Sequence, residues 1–201
     1  LENVVNRVVK RLFDVGFSIL VTIFLLSWFI PLMAIIIKLT SKGSVFFIQK
    51  RSGIKNKSFD VIKFRTMYVN TDAHYKQATR HDQRITPVGK FLRRTNLDEL
   101  PQFINVLLGQ MSVIGPRPHM LKHTEEYSKI IDKFMVRHLV KPGITGWAQV
   151  NGYRGETKEV NDMEGRVRAD VWYIENWSFG LDVKIIILTI INMIRGEENA
   201  F

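Results

Sequence analysis

The sequence predicts a mostly α-helical protein with a small β element. It is expected to be monotopic, with a re-entrant helix-break-helix at its N-terminus and a globular domain resting at the membrane interface. Three observations predict this. Val15–Ile37 is an uncharged run of 23 residues, long enough for the hydrocarbon core of a bilayer. Basic residues flank both of its ends. Most of the chain beyond Ile37 has helical spacing, with only two short strand-like runs.

The flanks decide between a span and a hairpin. Arg7, Lys10 and Arg11 precede the run, and Lys38, Lys42, Lys50 and Arg51 follow it. A spanning helix would put one cluster on the side that disfavours positive charge. Pro31 lacks an N–H, and its ring clashes with the carbonyl of Ser27, four residues earlier. The Ser27 hydroxyl can satisfy backbone freed in lipid. Ser27 and Pro31 are therefore the expected break, with both ends leaving by one face. A signal peptide fits poorly, because the run is too long and no small-residue cleavage pattern follows it. A buried helix of a soluble core is the competing reading.

The remaining 160 or so positions hold one domain with a real core. Val45–Ile48, within Ser44–Gln49, reads as a strand; Phe59–Met67 reads as a second, joined by Ser52–Ser58. Asn70–Arg84 is polar. Pro87–Arg94 is a short basic amphipathic segment. Leu100, Phe103, Ile104, Leu107 and Leu108 form one apolar stripe, with Gly109 as a helix stop and Pro101 in the first turn. A polar helix is expected over 119–136, a Gly-rich loop over 141–155 and a helix over 159–175. The run 181–194 is strongly apolar and too short to span, so it is expected to pack in the core or lie in the interface. Trp172, Tyr173, Trp177 and Phe179 are residue types found at headgroup boundaries.

Lys and Arg number 29 against 19 acids, a formal charge of +10, which favours polyanionic partners without choosing among nucleic acid, anionic lipid and phosphorylated substrate. The absence of Cys excludes disulfides and thiolate chemistry and suits the cytoplasmic side of a membrane. Asp98 and Glu99 fall at the expected helix N-terminus, where the dipole favours anions. A lowered pKa there suits a nucleophile or a Mg²⁺ ligand. Ordinary capping acids fit the same spacing, with Thr95 or Asn96 as alternative caps. Arg93 and Arg94 precede the pair, and Arg117 stands between Pro116 and Pro118. Arginine matches phosphate oxygens bidentately, so this is a reasonable toolkit for phosphoryl transfer. His74, His81, His119, His123 and His138 show no zinc spacing beyond His119 and His123 at i, i+4, which reads as a helix face. Trp147–Arg154 interleaves aromatics with basic residues and fits base stacking or core packing equally.

Six motifs occur in order: Lys10-Arg11-Leu12-Phe13-Asp14, Lys63-Phe64-Arg65-Thr66-Met67, Leu97-Asp98-Glu99-Leu100-Pro101-Gln102, Gly115-Pro116-Arg117-Pro118, Lys141-Pro142-Gly143-Ile144-Thr145-Gly146-Trp147 and Tyr173-Ile174-Glu175-Asn176-Trp177-Ser178. Together they make the chain resemble the monotopic phosphoglycosyl transferases, the bacterial sugar transferase family. The resemblance runs nearly end to end. It is greatest to the C-terminal catalytic domain of long-form polyprenyl-phosphate hexose-1-phosphate transferases, whose extra N-terminal helices would account for a start at Leu1. It implies Mg²⁺-dependent transfer of a sugar 1-phosphate from a UDP-sugar to polyprenyl (undecaprenyl) phosphate, releasing UMP. Asp98 would be the nucleophile, forming a phosphosugar–aspartate, with Glu99 holding Mg²⁺ or handling protons. Lys63, Arg93 and Arg117 would surround the phosphates.

The implied organisation is an anchor over 1–40 and a catalytic domain over 41–201 at the cytoplasmic face of a bacterial inner membrane. The implied partners are a UDP-sugar, with glucose or galactose expected, polyprenyl phosphate and an anionic lipid membrane. No nucleic acid is expected, and a homodimer is left open. The family usually breaks its anchor at adjacent Ser-Pro; here Ser27 is followed by Trp28, and the proline is Pro31. The readings from other classes are a basic membrane-anchored nucleic-acid binder and a scaffold.

Overall fold

The computed structural model describes residues 3–71, 78–79, 82–153, 155 and 159–195. Much of the expected polar segment Asn70–Arg84, with His74 and His81, lies outside them, as do Arg154, Glu156 and Thr157. The chain is mostly helical with two small sheets, as expected.

Asn3 starts helix α1 (Val4–Val21), its side chain accepting from Val5 N–H at 2.9 Å. The backbone continues through a π turn (Thr22–Leu26) into α2 (Ser27–Thr40). The expected break is thus a change of winding and not a gap. Ser27 N–H donates five residues back, to Thr22 O. That leaves Ile23 O without its usual partner, and the Ser27 hydroxyl donates to it at 2.6 Å. The Trp28 indole N–H donates to Phe24 O at 2.9 Å. Pro31 is carried inside α2, one turn beyond this rewinding.

The rewinding also serves packing. Lys10, Asp14, Ser18 and Leu26 are buried at spacings of four or eight, and Phe29, Met33 and Ile37 follow. On a 3.6-residue helix each step of four drifts by about 40°, and the wider π turn cancels part of that drift. Leu26 therefore stays on the packed face. The other face leaves Leu20, Ile23, Phe24, Trp28, Ile35 and Leu39 exposed. Val4–Thr40 is long and apolar enough to cross a membrane, and only 17% of its most apolar window is buried. That fraction argues against the buried helix of a soluble core.

Both ends of this helix touch the same domain. Near its start, Lys10 Nζ lies 2.6 Å from Asp182 Oδ2, and Arg11 donates to Val106 O and Leu107 O at 2.7 and 3.1 Å. Beyond its end, Arg65 donates to Ser41 O at 2.9 Å and to Lys42 O. Some of the flanking charges are thus spent on protein. Lys10 and Arg11 bind the domain.

Strands β1 (Phe46–Ser52) and β2 (Ser58–Phe64) form an antiparallel hairpin with Phe46 opposite Phe64. Helix α3 (Pro87–Arg94) is capped by Thr86, whose hydroxyl accepts from Gly89 N–H at 2.9 Å. Thr66 O sits 1.9 Å from where a Gly89 Cβ would be, so only glycine permits this approach. A 3₁₀ turn (Leu97–Glu99) precedes α4 (Gln102–Leu107). The two acids therefore stand a turn ahead of α4 and not at its N-terminus, because Asn96 at φ 57° starts a tighter turn first. Gly109 at φ 80° ends the helix as expected.

Strands β3 (Ser112–Ile114) and β4 (Gly143–Thr145) pair in parallel. The expected Gly-rich loop over 141–155 contains β4 and a short α6 (Trp147–Val150). The polar helix expected over 119–136 is only α5 (Leu121–Tyr127), followed by a 3₁₀ segment at Phe134–Leu139. Helices α7 (Val160–Glu175) and α8 (Phe179–Arg195) close the chain.

Leu26 shares one core with Val61, Phe103, Val106, Ile114, Tyr173 and Ile185, and a second cluster joins Phe29, Met33 and Ile37 to Phe64 and Leu92. Asp182, fully buried, ties the first cluster together. It accepts from Lys10, from Tyr173 Oη at 2.7 Å and from Trp177 Nε1 at 3.1 Å. Tyr173 and Trp177 are therefore structural and not headgroup residues. Trp172 and Phe179 remain exposed. Removing the Asp182 carboxylate strands the Lys10 ammonium in the core, so Asp182→Ala is expected to cost about 3–5 kcal/mol, read from denaturant unfolding in detergent.

Candidate active site

Five residues expected from sequence converge. β2 carries Lys63 near its end, α3 brings Arg93 in its last turn, the 3₁₀ turn presents Asp98 and Glu99, and the loop after β3 presents Arg117. Glu99 is the joint. Arg117 grips it with both terminal nitrogens, Nη1 to Oε2 at 3.0 Å and Nη2 to Oε1 at 2.6 Å. Lys63 Nζ donates to Oε1 at 2.7 Å. Arg93 is held by Thr66, its Nε donating to Oγ1 at 2.8 Å.

Asp98 differs. It is buried, yet its carboxylate has no hydrogen-bond or ion-pair partner among the described residues. Burial raises its pKa above the usual value, Glu99 adds to the rise, and Lys63, Arg93 and Arg117 oppose it. This corrects the expectation of a carboxyl lowered by a helix N-terminus: the acid is packed in a pocket ahead of a short helix, and loss of water outweighs any dipole. Burial also lowers Lys63, with Glu99 pulling the other way. For Arg117, burial is outweighed by Glu99, which holds the guanidinium above its ordinary value.

The Arg117 loop is fixed by its carbonyls, since its prolines offer no N–H. Pro116 O accepts from Gly143 N–H at 2.9 Å, and Arg117 O accepts from Arg137 Nη2 at 3.0 Å. A Cβ on Gly143 would stand 2.1 Å from Gly115 N, so the two glycine motifs serve this close approach. Arg137 is itself pinned. Its Nε donates to Asp170 Oδ2 at 2.7 Å, with both side chains only 2% exposed, and its Nη1 lies 2.8 Å from His119 Nδ1. Arg51 lies 3.5 Å from Pro118 O through Nη1.

Sequence reasoning missed Thr66, His119, Arg137 and Asp170 as parts of this assembly and placed Arg51 in a membrane flank. Thr66 lay within a noted motif. Arg137 and Asp170 are 33 positions apart with no local signal. His119 packs against Phe134, with ring centroids 5.8 Å apart, ahead of α5, so it does not share a helix face with His123. Ser27 and Pro31 lie apart from these residues, on the exposed side of the anchor helix. Trp147 stacks on Trp172 with centroids 5.0 Å apart, which favours its packing role over base stacking. Among the described residues, no three His, Cys, Asp or Glu side chains gather as a metal cluster. Both Glu99 oxygens are engaged by Arg117 and Lys63, so of the two acids Asp98 is the one left open to an ion that takes one or two carboxylates and fills its shell with water and phosphate.

Residues 5–196 match the family described as bacterial sugar transferase. The chain belongs to this family. It is 53% identical over 189 residues to a UDP-glucose:undecaprenyl-phosphate glucose-1-phosphate transferase of Klebsiella pneumoniae, covering 94% of this chain and 40% of that protein. The protein of that name from Escherichia coli strain K12 is 51% identical over 187 residues, covering 92% and 40%. A UDP-N-acetylgalactosamine-undecaprenyl-phosphate N-acetylgalactosaminephosphotransferase of Aeromonas hydrophila is 43% identical over 185 residues, covering 90% and 43%. The chain spans about 40% of the length of the first two relatives.

The support beneath Arg117 carries a pH signature. Burial, and then Arg137, push His138 down to about 4, and burial likewise holds the neighbouring His119 well below its ordinary value. Between about pH 6.5 and 4 the unfolded chain binds a proton at His138 that the fold does not, so stability falls as pH drops through that window. The loss at His138 reaches about 3 kcal/mol. His138→Gln is expected to flatten the acid side of a denaturation midpoint against pH curve.

Proposed function

We propose that the chain is the catalytic part of a transferase that moves a sugar 1-phosphate from a UDP-sugar to polyprenyl phosphate, releasing UMP. The observation that carries this reading is the contrast between the two acids. Glu99 is clamped by Lys63 and Arg117, while Asp98 stands unengaged among the same cations. A nucleophile needs a free lone pair, and the phosphate charge it meets needs neutralising groups already in place. The names of the relatives support the donor and acceptor classes, and those naming UDP-glucose favour glucose as the sugar.

In this mechanism Asp98 attacks the β-phosphorus, the bond to the α-phosphate oxygen breaks, and UMP leaves with the electron pair. A phosphosugar–Asp98 acyl phosphate remains. A polyprenyl phosphate oxygen then attacks the same phosphorus and frees the carboxylate. Lys63, Arg93 and Arg117 offset the charge of the phosphoryl oxygens in both steps, and Glu99 keeps Lys63 and Arg117 oriented. Asp98, with Glu99 beside it, would hold Mg²⁺, which when bound would supply neutralisation of the diphosphate charge. Every residue this mechanism uses lies in one chain.

The placement we propose is the cytoplasmic face of a bacterial inner membrane, with residues 1–40 as a re-entrant anchor, 41–201 as the catalytic domain and an anionic lipid surface beneath. What supports re-entry is that Lys10 and Ser41, on either side of the apolar run, contact one domain. A rigid domain that holds both ends keeps both on one side. The nucleic-acid reading is disfavoured because Lys63 and Arg117 turn inward onto Glu99 and do not line an open basic surface.

Asp98→Asn is expected to lower UMP release by at least about 1,000-fold and to leave no covalent phosphosugar in mass spectra after incubation with UDP-glucose. Full activity in that variant would defeat the mechanism. For topology, cysteines placed at Asn3 and Lys42 in intact cells should both resist a membrane-impermeant thiol reagent added outside; labelling of one alone would mean a span.

A further inference from the structure

Among the described residues, Arg51 belongs to no ion pair. Its Nη2 donates to Gln49 Oε1 at 2.5 Å and its Nη1 reaches Pro118 O only at 3.5 Å, and no carboxylate partner accompanies it among the described residues. A structural arginine this enclosed normally has an acid or several carbonyls around its fork, as Arg137 has. The strand that carries Arg51 is stitched to the Arg117 loop, Ser52 N–H donating to His119 O at 3.0 Å and Arg51 bridging to Met120. The guanidinium is thereby held beside Arg117 at the rim of the Glu99 clamp. Burial first and Arg117 second pull its pKa down to about 10, with Glu99 opposing. Two arginines and a lysine thus share one carboxylate on this side of the site. The missing counter-charge is an anion.

In-line displacement decides which anion. The attacking and leaving oxygens lie on opposite sides of the phosphorus. On the hairpin Lys63 lies opposite Phe47 and Arg51 opposite Phe59, on the same face but four residues further along, so the two cations reach the Glu99 clamp from different ends. Lys63 is the end that bears on Asp98, which leaves Arg51 on the side of the clamp away from the nucleophile, where the departing phosphate must emerge. Resting on the proposed sugar-phosphate transfer, we propose that Arg51 binds the phosphate that stays on the nucleotide and stabilises the charge it gains as it leaves.

Steps with and without a second phosphate separate this role from a structural one. In wild-type enzyme without polyprenyl phosphate, labelled UMP should exchange into UDP-glucose; if it does not, the transfer mechanism itself is wrong and not the Arg51 assignment. Arg51→Gln should slow that exchange about 10- to 100-fold and weaken UMP product inhibition by a similar factor, the size of one lost charge-assisted hydrogen-bonded contact. Hydrolysis of the preformed phosphosugar–enzyme by water should stay within about threefold of wild type, because water brings no phosphate to Arg51. Resolution by polyprenyl phosphate, which attacks from the side UMP left, should instead fall with the exchange. Arg51→Lys, which keeps the charge, should recover part of both losses. Unchanged UMP inhibition in Arg51→Gln overturns the proposal. So does an equal fall in the exchange and in hydrolysis by water, with Arg51→Lys no better than Arg51→Gln.

Discussion

The fork between Arg117 and Glu99, with Lys63 closing on the same carboxylate, is the constraint from which the rest of the site takes its shape. It joins three segments far apart in sequence: the end of a hairpin, a 3₁₀ turn and a loop between two prolines. An arginine–carboxylate pair is directional, so it sets angle as well as distance. Once Glu99 is fixed, its neighbour Asp98 has one place to stand. Much of what lies behind the site keeps this fork in register, from the carbonyls of Pro116 and Arg117 to the pair of Arg137 and Asp170.

A buried ion pair is weak evidence for stability, since desolvating both partners offsets most of their attraction. The Arg137–Asp170 pair is better understood as a device of position. It spends burial on holding one main-chain carbonyl, that of Arg117, while His119 takes another guanidinium nitrogen. Asp182 does the equivalent for the anchor. It gathers Lys10, Tyr173 and Trp177 into one hydrogen-bonded knot, which is what the first and last motifs of the chain share. Motifs at opposite ends of the sequence prove to be two halves of one contact.

What was legible in the sequence was whatever depends on local order. The apolar run, the amphipathic stripe of Leu100 to Leu108, the stop at Gly109 and helix α7 all arise from spacing between near neighbours. The five site residues were legible because their types suit phosphate chemistry and their motifs match a family pattern. The pKa direction at Asp98 was not legible, because it depends on burial by elements outside its own turn. Nor was the role of Arg51: its position after the apolar run made it look like a membrane flank, and only the pairing of its strand with the Arg117 loop turns it toward the site. The winding change at Thr22–Leu26 escaped for a similar reason. The buried face that rewards it is made by Val61, Phe64 and Phe103, far along the chain.

That shared core bears on what the anchor is. Phe29 meets Phe64 edge-on with ring centroids 5.9 Å apart, and Phe64 is the residue after Lys63. Phe17 meets Phe103 at 6.0 Å, in the helix beyond the Asp98–Glu99 turn. A tether would leave the domain's core closed without it. Here, removing the helix would open Phe64, Leu92 and Phe103 to water, at roughly 1.5–3 kcal/mol for each large side chain, against a typical domain stability of about 5–15 kcal/mol. The apolar helix is one wall of the domain's core, and its outer face remains apolar and exposed.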